Sequence, residues 1–73
     1  MRETMLHFDE VLTEDARKRL CSALREEGVN CDAAKASNKP HLLFLAYDQS
    51  HTAPHDLTRI AARAGFVARL VDL

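Results

Sequence analysis

Residues 47–73 have the sequence YDQSHTAPHDLTRIAARAGFVARLVDL, and this stretch decides the fold. Thr52 can cap the first free amides of a helix, and Pro54 suits the first helical turn because its missing N–H costs nothing there. Apolar residues then recur at three- and four-residue spacing, as in a helix with one buried face: Leu57, Ile60, Ala61 and Ala64. Gly65 stands where helices commonly end, and residues 66–71 are typical of a short strand.

The first half of the chain has the same order of elements. Residues 5–8 alternate, with Leu6 and Phe8 on one face of a predicted strand. Thr13 and the two acids after it predict a helix start, and Gly28 marks the helix end. The residues predicted to share the inner face of this helix are Ala16, Leu20, Cys21, Ala23 and Leu24. The charged residues predicted to cover its other faces are Arg17, Lys18, Arg19, Arg25, Glu26 and Glu27.

The middle of the chain supplies two more predicted strands. Residues 29–36 favour a weak second strand, residues 37–40 a hairpin turn, and residues 42–47 an apolar, central third strand. The order β-α-β-β-α-β predicts an α+β, ferredoxin-like two-layer sandwich, in which two helices cover one face of a four-stranded antiparallel sheet. A chain of 73 residues suits a single domain, residues 1–73.

Composition narrows the classes of function. The chain is 47% hydrophobic and 29% charged with a net charge of −1, so it lacks the basic excess expected of a nucleic-acid or anionic-membrane binder. Its longest apolar run is too short to span a bilayer, and no secretion signal is recognisable. Two cysteines ten residues apart indicate neither a disulfide framework nor a thiol motif, so a reducing, cytoplasmic location is expected.

The pattern YD–T–P–DL–IA–AGF–ARLV in the last third, with the chain length and the order of elements, resembles the heavy-metal-associated domain of copper chaperones and metal-transporting ATPases. The matching positions are Tyr47-Asp48 at the end of the third strand, residues 54–64 in the second helix, and Gly65-Phe66 before the last strand. The resemblance implies the ferredoxin-like fold, binding of a transition metal, and docking to a metal-transporter domain of the same type.

The metal-binding motif of that family is missing from the first loop. Family members carry Met-x-Cys-x-x-Cys there, whose two thiolates bind Cu(I) or another soft ion. Those cysteine positions fall near Thr13 and Ala16, neither of which provides a thiolate. Acidic residues occupy the loop instead, and they suit either a hard or borderline divalent ion or a solvated helix start: Asp9, Glu10, Glu14 and Asp15.

A second candidate metal site combines one cysteine with two histidines. His51 and His55 have the i,i+4 spacing that lets two imidazoles share a metal, and the topology places Cys31 at the same end of the sheet. These three residues could hold zinc, nickel or copper. The alternative interpretation is two exposed histidines at a helix start and one half-buried cysteine.

The remaining candidates are weaker. Cys21 is expected to be a small buried hydrophobe. His7 and His41 are expected on neighbouring strands, where they are solvated, pair with each other or contact a partner. Arg59 to Gly65 resembles half of a DNA-reading motif, but a strand follows where the recognition helix should be. No nucleophile has a base and an orienting group in the pattern, so an enzyme is not expected.

Three hypotheses follow for the function. The first is a metal-binding or metal-handling module with a non-standard or lost site, acting by itself or by docking to a transporter domain. The second is a metal-free interaction or regulatory module that binds proteins through the open sheet face or a strand edge. The third is a dimeric small-ligand sensor of the same topology.

Overall fold

The computed structural model describes residues 2–32 and 39–71. Its elements are β1 (Arg2–Phe8), α1 (Glu14–Glu26), β2 (Asn30–Cys31), β3 (Leu42–Tyr47), α2 (Pro54–Arg63) and β4 (Ala68–Val71). The strands form one antiparallel sheet in the order β2-β3-β1-β4. The predicted ferredoxin-like α+β fold is confirmed, with β3 paired on both sides as expected of a central strand.

Alternation along the two central strands separates a covered face from an open one. Leu6 and Phe8 on β1 are buried with Leu43, Leu45 and Tyr47 on β3. Apolar residues of both helices complete this core: Ala16, Leu20, Cys21, Leu24, Leu57, Ile60 and Ala61. The open face carries half-buried residues, among them Met5, His7, Leu42, Phe44 and Ala46.

Both helices end with the same backbone device. Gly28 and Gly65 have φ values of 84° and 94°, in the left-handed region that glycine adopts without a steric penalty. After α1 the N–H of Val29 donates to the carbonyl of Leu24, and after α2 the N–H of Phe66 donates to that of Ala61, both at 2.9 Å. The two glycine stops predicted from the sequence are confirmed, and each sends the chain back to the sheet.

The start of α2 differs from the prediction. Thr52 was expected to cap it, but the N-cap is Ala53, and Pro54 is the first helical residue. Asp56 Oδ2 accepts a hydrogen bond from the Ala53 N–H at 3.0 Å, while the Thr52 N–H donates to the carbonyl of Asp48 in the preceding turn at 2.9 Å. Thr52 is therefore buried in the turn before α2. The Asp56 carboxylate instead fixes the first turn of the helix.

Arg17 is buried rather than exposed. Its side chain is only 3% exposed, and Nη2 donates to the carbonyl of Lys39. The Leu12 N–H also donates to the carbonyl of Pro40, at 2.7 Å, beside this contact. The prediction that Arg17 covers an outer face of α1 is wrong, because this guanidinium connects the start of α1 to the loop before β3.

The second strand was predicted over residues 29–36, and the structure describes residues 29–32 of that range. Within this described part, only Asn30 and Cys31 form strand β2, and they pair with Ala46 and Leu45 of β3. Residues 33–36 of the predicted strand and residues 37–38 of the predicted turn lie outside the described residues. Within the described part of that turn, the Leu42 N–H donates to the carbonyl of Lys39 at 3.2 Å.

Candidate metal centre

The loop between β1 and α1 uses its two key positions for structure. Thr13 is the N-cap of α1, and its Oγ1 accepts a hydrogen bond from the Ala16 N–H at 3.1 Å. The Ala16 side chain is buried in the core. A hydroxyl engaged in capping and a buried methyl group do not fit a two-thiolate site for a soft ion. The chain's own residues at this loop therefore do not provide the Cu(I) chemistry that the resemblance implies.

The acidic residues of the same region are exposed, and two of them lie at the helix start. Glu14 and Asp15 lie in the first turn of α1, where the helix dipole favours negative charge. Glu14 lies 3.6 Å from Lys18 Nζ, and Asp9 Oδ1 accepts a hydrogen bond from Arg69 Nη2 at 2.9 Å. These exposed positions agree with the interpretation of the four acids as solvated residues around a helix start.

Cys31 lies on β2 with its sulfur bonded to that of Cys21 on α1. The prediction of two unlinked cysteines is wrong. The Gly28 turn brings β2 back alongside α1, so that the inner face of the helix and the core side of the strand meet. Arg25 Nε adds a hydrogen bond to the carbonyl of Cys31 at 2.8 Å. Cys21 is buried as expected, although as half of a disulfide rather than as a free thiol.

His51 and His55 are surface residues, with side chains 82% and 79% exposed. Each has a carboxylate close to it in the sequence. His51 Nε2 lies 3.8 Å from Asp48 Oδ2, and His55 Nε2 lies 3.7 Å from Asp56 Oδ1. The structure thus places both imidazoles in solvent, each beside its own acidic neighbour.

The two aspartates have lowered pKa values for local reasons. The hydroxyl and the N–H of Ser50 donate to Asp48 Oδ1 at 2.7 and 2.9 Å and lower the pKa of that carboxyl. The Ala53 N–H lowers the pKa of Asp56, and the Arg59 guanidinium lowers it further. Both carboxylates are therefore ionised near neutral pH.

The predicted trio of Cys31, His51 and His55 does not form a ready-made cluster. Across residues 2–32 and 39–71, no group of three or more histidine, cysteine, aspartate or glutamate side chains is arranged to hold a metal ion. The Cys31 sulfur faces Cys21 in the interior, whereas the histidines are exposed. A thiolate at Cys31 becomes available only after the disulfide is reduced.

The structure brings together another pair that the topology predicted to be neighbours. The rings of His7 and His41 are stacked, with centroids 6.0 Å apart and planes inclined by 18°. Both residues are half-buried at the open face of the sheet. The sequence signal for this pair was the placement of two histidines on adjacent strands.

A small apolar surface lies beside the first loop. Val11 and Val67 are 61% and 79% exposed and line a groove of about 190 Å³ with Phe66. The Phe66 ring packs edge-on against Phe8 at 6.3 Å, and the Arg19 guanidinium lies 5.5 Å from the centroid of the Phe66 ring. Sequence reasoning missed this surface, because single valines in two separate loops carry no local pattern.

Comparison with solved structures shows the class of fold. The chain is similar to a copper-binding domain from HMA7, a P-type ATPase, with a TM-score of 0.75 over 97% of this chain and 95% of that one. Sequence identity is 13%, so the likeness is one of fold. No protein-family model matches the sequence, and comparison with curated protein sequences gives no match.

Neither helix among the described residues is long and apolar enough to cross a membrane.

Proposed function

We propose that the chain is a metal-handling module of the heavy-metal-associated type that uses a ligand set other than the family's thiol pair. The observation that carries the proposal is the agreement in fold with a copper-binding domain over 97% of the chain. The proposed cargo is a transition-metal ion (zinc, nickel or copper), and the proposed partner is a metal-transporter domain of the same type. We propose binding and transfer in the cytoplasm rather than catalysis.

The proposed ligands are Cys31, His51 and His55. Imidazole nitrogen and thiolate sulfur suit these borderline and soft ions. Because the Cys31 sulfur is bonded to Cys21, this ligand set requires the reduced protein and a rearrangement of the two exposed histidines. The requirement makes metal uptake dependent on the redox state of the chain.

The test is an NMR titration of the reduced protein under anaerobic conditions with Zn²⁺, Ni²⁺ and Cu⁺ in turn. We expect saturable shifts at one equivalent around Cys31, His51 and His55. Cys31→Ser should abolish the response, whereas Cys21→Ser is the matched control, since it removes the same disulfide but leaves the proposed ligand. Equal responses in the two variants, or none in the wild type, would refute this ligand set.

The second candidate function is a metal-free interaction module, and one observation favours it. The Val11–Val67 groove exposes apolar side chains on two loops at one end of the domain. Exposed apolar surface beside a rigid sheet is typical of a docking site. The test asks whether the groove binds a second copy of the chain. Self-association is measured by sedimentation with chelator present, and Val67→Ser should weaken it. Concentration-independent sedimentation would rule out self-docking through this groove.

A further inference from the structure

His7 and His41 are held side by side by the pairing of β1 with β3. His7 lies opposite Leu42 in the antiparallel register, and His41 directly precedes Leu42. Their rings stack with centroids 6.0 Å apart. We propose that these two imidazoles form a site for a borderline divalent cation, such as Zn²⁺, Ni²⁺ or Cu²⁺. The site shares no residue with Cys31, His51 and His55 and stands whether or not that set binds a metal.

The hydrogen bond of His41 fixes which nitrogen is available. Nδ1 of His41 lies 3.0 Å from the carbonyl oxygen of Phe8. A carbonyl oxygen only accepts, so Nδ1 carries the proton and Nε2 of the neutral ring keeps its lone pair. The Phe8 N–H in turn donates to the carbonyl of His41 at 2.8 Å. An imidazole oriented by a backbone carbonyl through its other nitrogen is the usual arrangement of a metal-ligating histidine.

The spacing of the rings is close to what one shared ion requires. Zinc binds imidazole nitrogen at about 2.0–2.1 Å, which puts the centroids of two rings on one tetrahedral ion roughly 5.2 Å apart. The observed 6.0 Å is larger by less than about 1 Å. An ion bound by both rings must lie in the plane of each ring. The two planes are stacked and inclined by only 18°, so one ring has to turn about χ2. That ring is His7, because His41 is held by Phe8.

The surroundings leave the remaining coordination positions to solvent. A shallow pocket of about 380 Å³ is lined by His7, Lys39, Pro40, His41 and Leu42. It has room for the waters that complete a tetrahedral shell. The Lys39 ammonium opposes a bound cation and lowers the affinity, although its charge is exposed and screened by salt.

The experiment uses the full oxidised chain, in which the disulfide removes both thiolates as competing ligands. ZnCl₂ is titrated at about pH 7.5, one unit above the usual imidazole pKa of about 6.5. Binding is followed by calorimetry and by imidazole ¹⁵N spectra, which report the four histidines separately. The variants are His7→Phe, which keeps a ring in the stack, and His41→Asn, whose amide can still donate to Phe8. The matched control is His51→Asn/His55→Asn.

We expect Zn²⁺ to shift Nε2 of His41 and a ring nitrogen of His7 together at one equivalent. Each single variant should bind at least about 10-fold more weakly, and the His51→Asn/His55→Asn control should bind as the wild type does. Unchanged melting temperatures verify that the variants are folded. Shifts confined to His51 and His55, no binding by the wild type, or wild-type affinity in the double variant His7→Phe/His41→Asn would overturn the proposal. Because the metal-handling test needs reduced protein and different variants, the two proposals fail separately.

Discussion

Reducing the disulfide between Cys21 and Cys31 is expected to lower the free energy of unfolding by about 2.7 kcal/mol. The magnitude comes from the sequence separation of 10 residues between the cysteines. In the chain-entropy relation, a closed loop of that size removes about 9 cal/mol/K from the unfolded ensemble, which is about 2.7 kcal/mol at 25 °C. For a chain of 73 residues this corresponds to a fall in melting temperature of roughly 10–20 °C.

The assay is urea unfolding of the same preparation with and without a phosphine reductant. Thiol alkylation followed by mass spectrometry verifies the redox state, with no adduct expected before reduction and two after it, since the chain has two cysteines. The double variant Cys21→Ala/Cys31→Ala is the control, because its stability should not respond to reductant. Comparison of the reduced wild type with this variant isolates the packing contribution of the two sulfurs.

An unchanged urea midpoint in protein shown to be fully reduced would refute the entropic argument. Two alkylated thiols before any reductant is added would show that the bond does not form in solution. Alkylation in intact cells also tests the expected cytoplasmic location. Cysteines are held reduced in the cytoplasm, so both thiols should be alkylated there without added reductant.

Substitutions at three further positions test the contacts that define the fold. Leu24→Ala removes a fully buried side chain from α1 and should lower the free energy of unfolding by about 2–5 kcal/mol, measured by urea unfolding. Gly65→Ala should cost about 1–2 kcal/mol in the same assay because the residue has a φ of 94°, and Gly65→Asn should cost less, since asparagine tolerates the left-handed region better. Asp56→Asn should lower the free energy of unfolding at pH 7, and the difference from the wild type should shrink below about pH 4. The pKa of Asp56 is lowered in the folded state, so its carboxylate contributes fully to stability above the ordinary carboxyl pKa of about 3.9. That contribution is lost as pH falls through the lowered pKa. A difference for Asp56→Asn that stays constant from pH 7 to pH 3 would contradict the assigned role of its charge.

Signals that lie close together in the sequence predicted most of the fold. Three such signals depend on neighbouring residues only, and all three are found in the structure: the cap at Thr13, the glycines after both helices, and the alternation of Leu6 and Phe8. The helix start at residue 54 shows the limit of such signals. Thr52 and Ala53 compete for the cap position, and the Asp56 carboxylate favours Ala53 by accepting its N–H.

Contacts between distant residues were the part that sequence reasoning could not supply. The burial of Arg17 depends on the Lys39 carbonyl 22 residues away, and the bond between Cys21 and Cys31 depends on how α1 packs against β2. The histidines were predicted better than these contacts. Topology predicted that His7 and His41 are neighbours, and the alternative interpretation of His51 and His55 as exposed residues at a helix start agrees with their positions in the structure.

Strand β1 lies between β3 and β4, so a change in its register changes two strand pairings at once. Leu6 faces Leu43 on β3 and Leu70 on β4 at the same time. Side chains alternate with a period of two, so a slip of one residue would turn Leu6 and Phe8 to solvent and move His7 under the helices. A single-residue deletion inside β1 would therefore disrupt the core and the histidine pair together, while a deletion among the exposed residues 9–11 of the first loop would leave the order of faces intact.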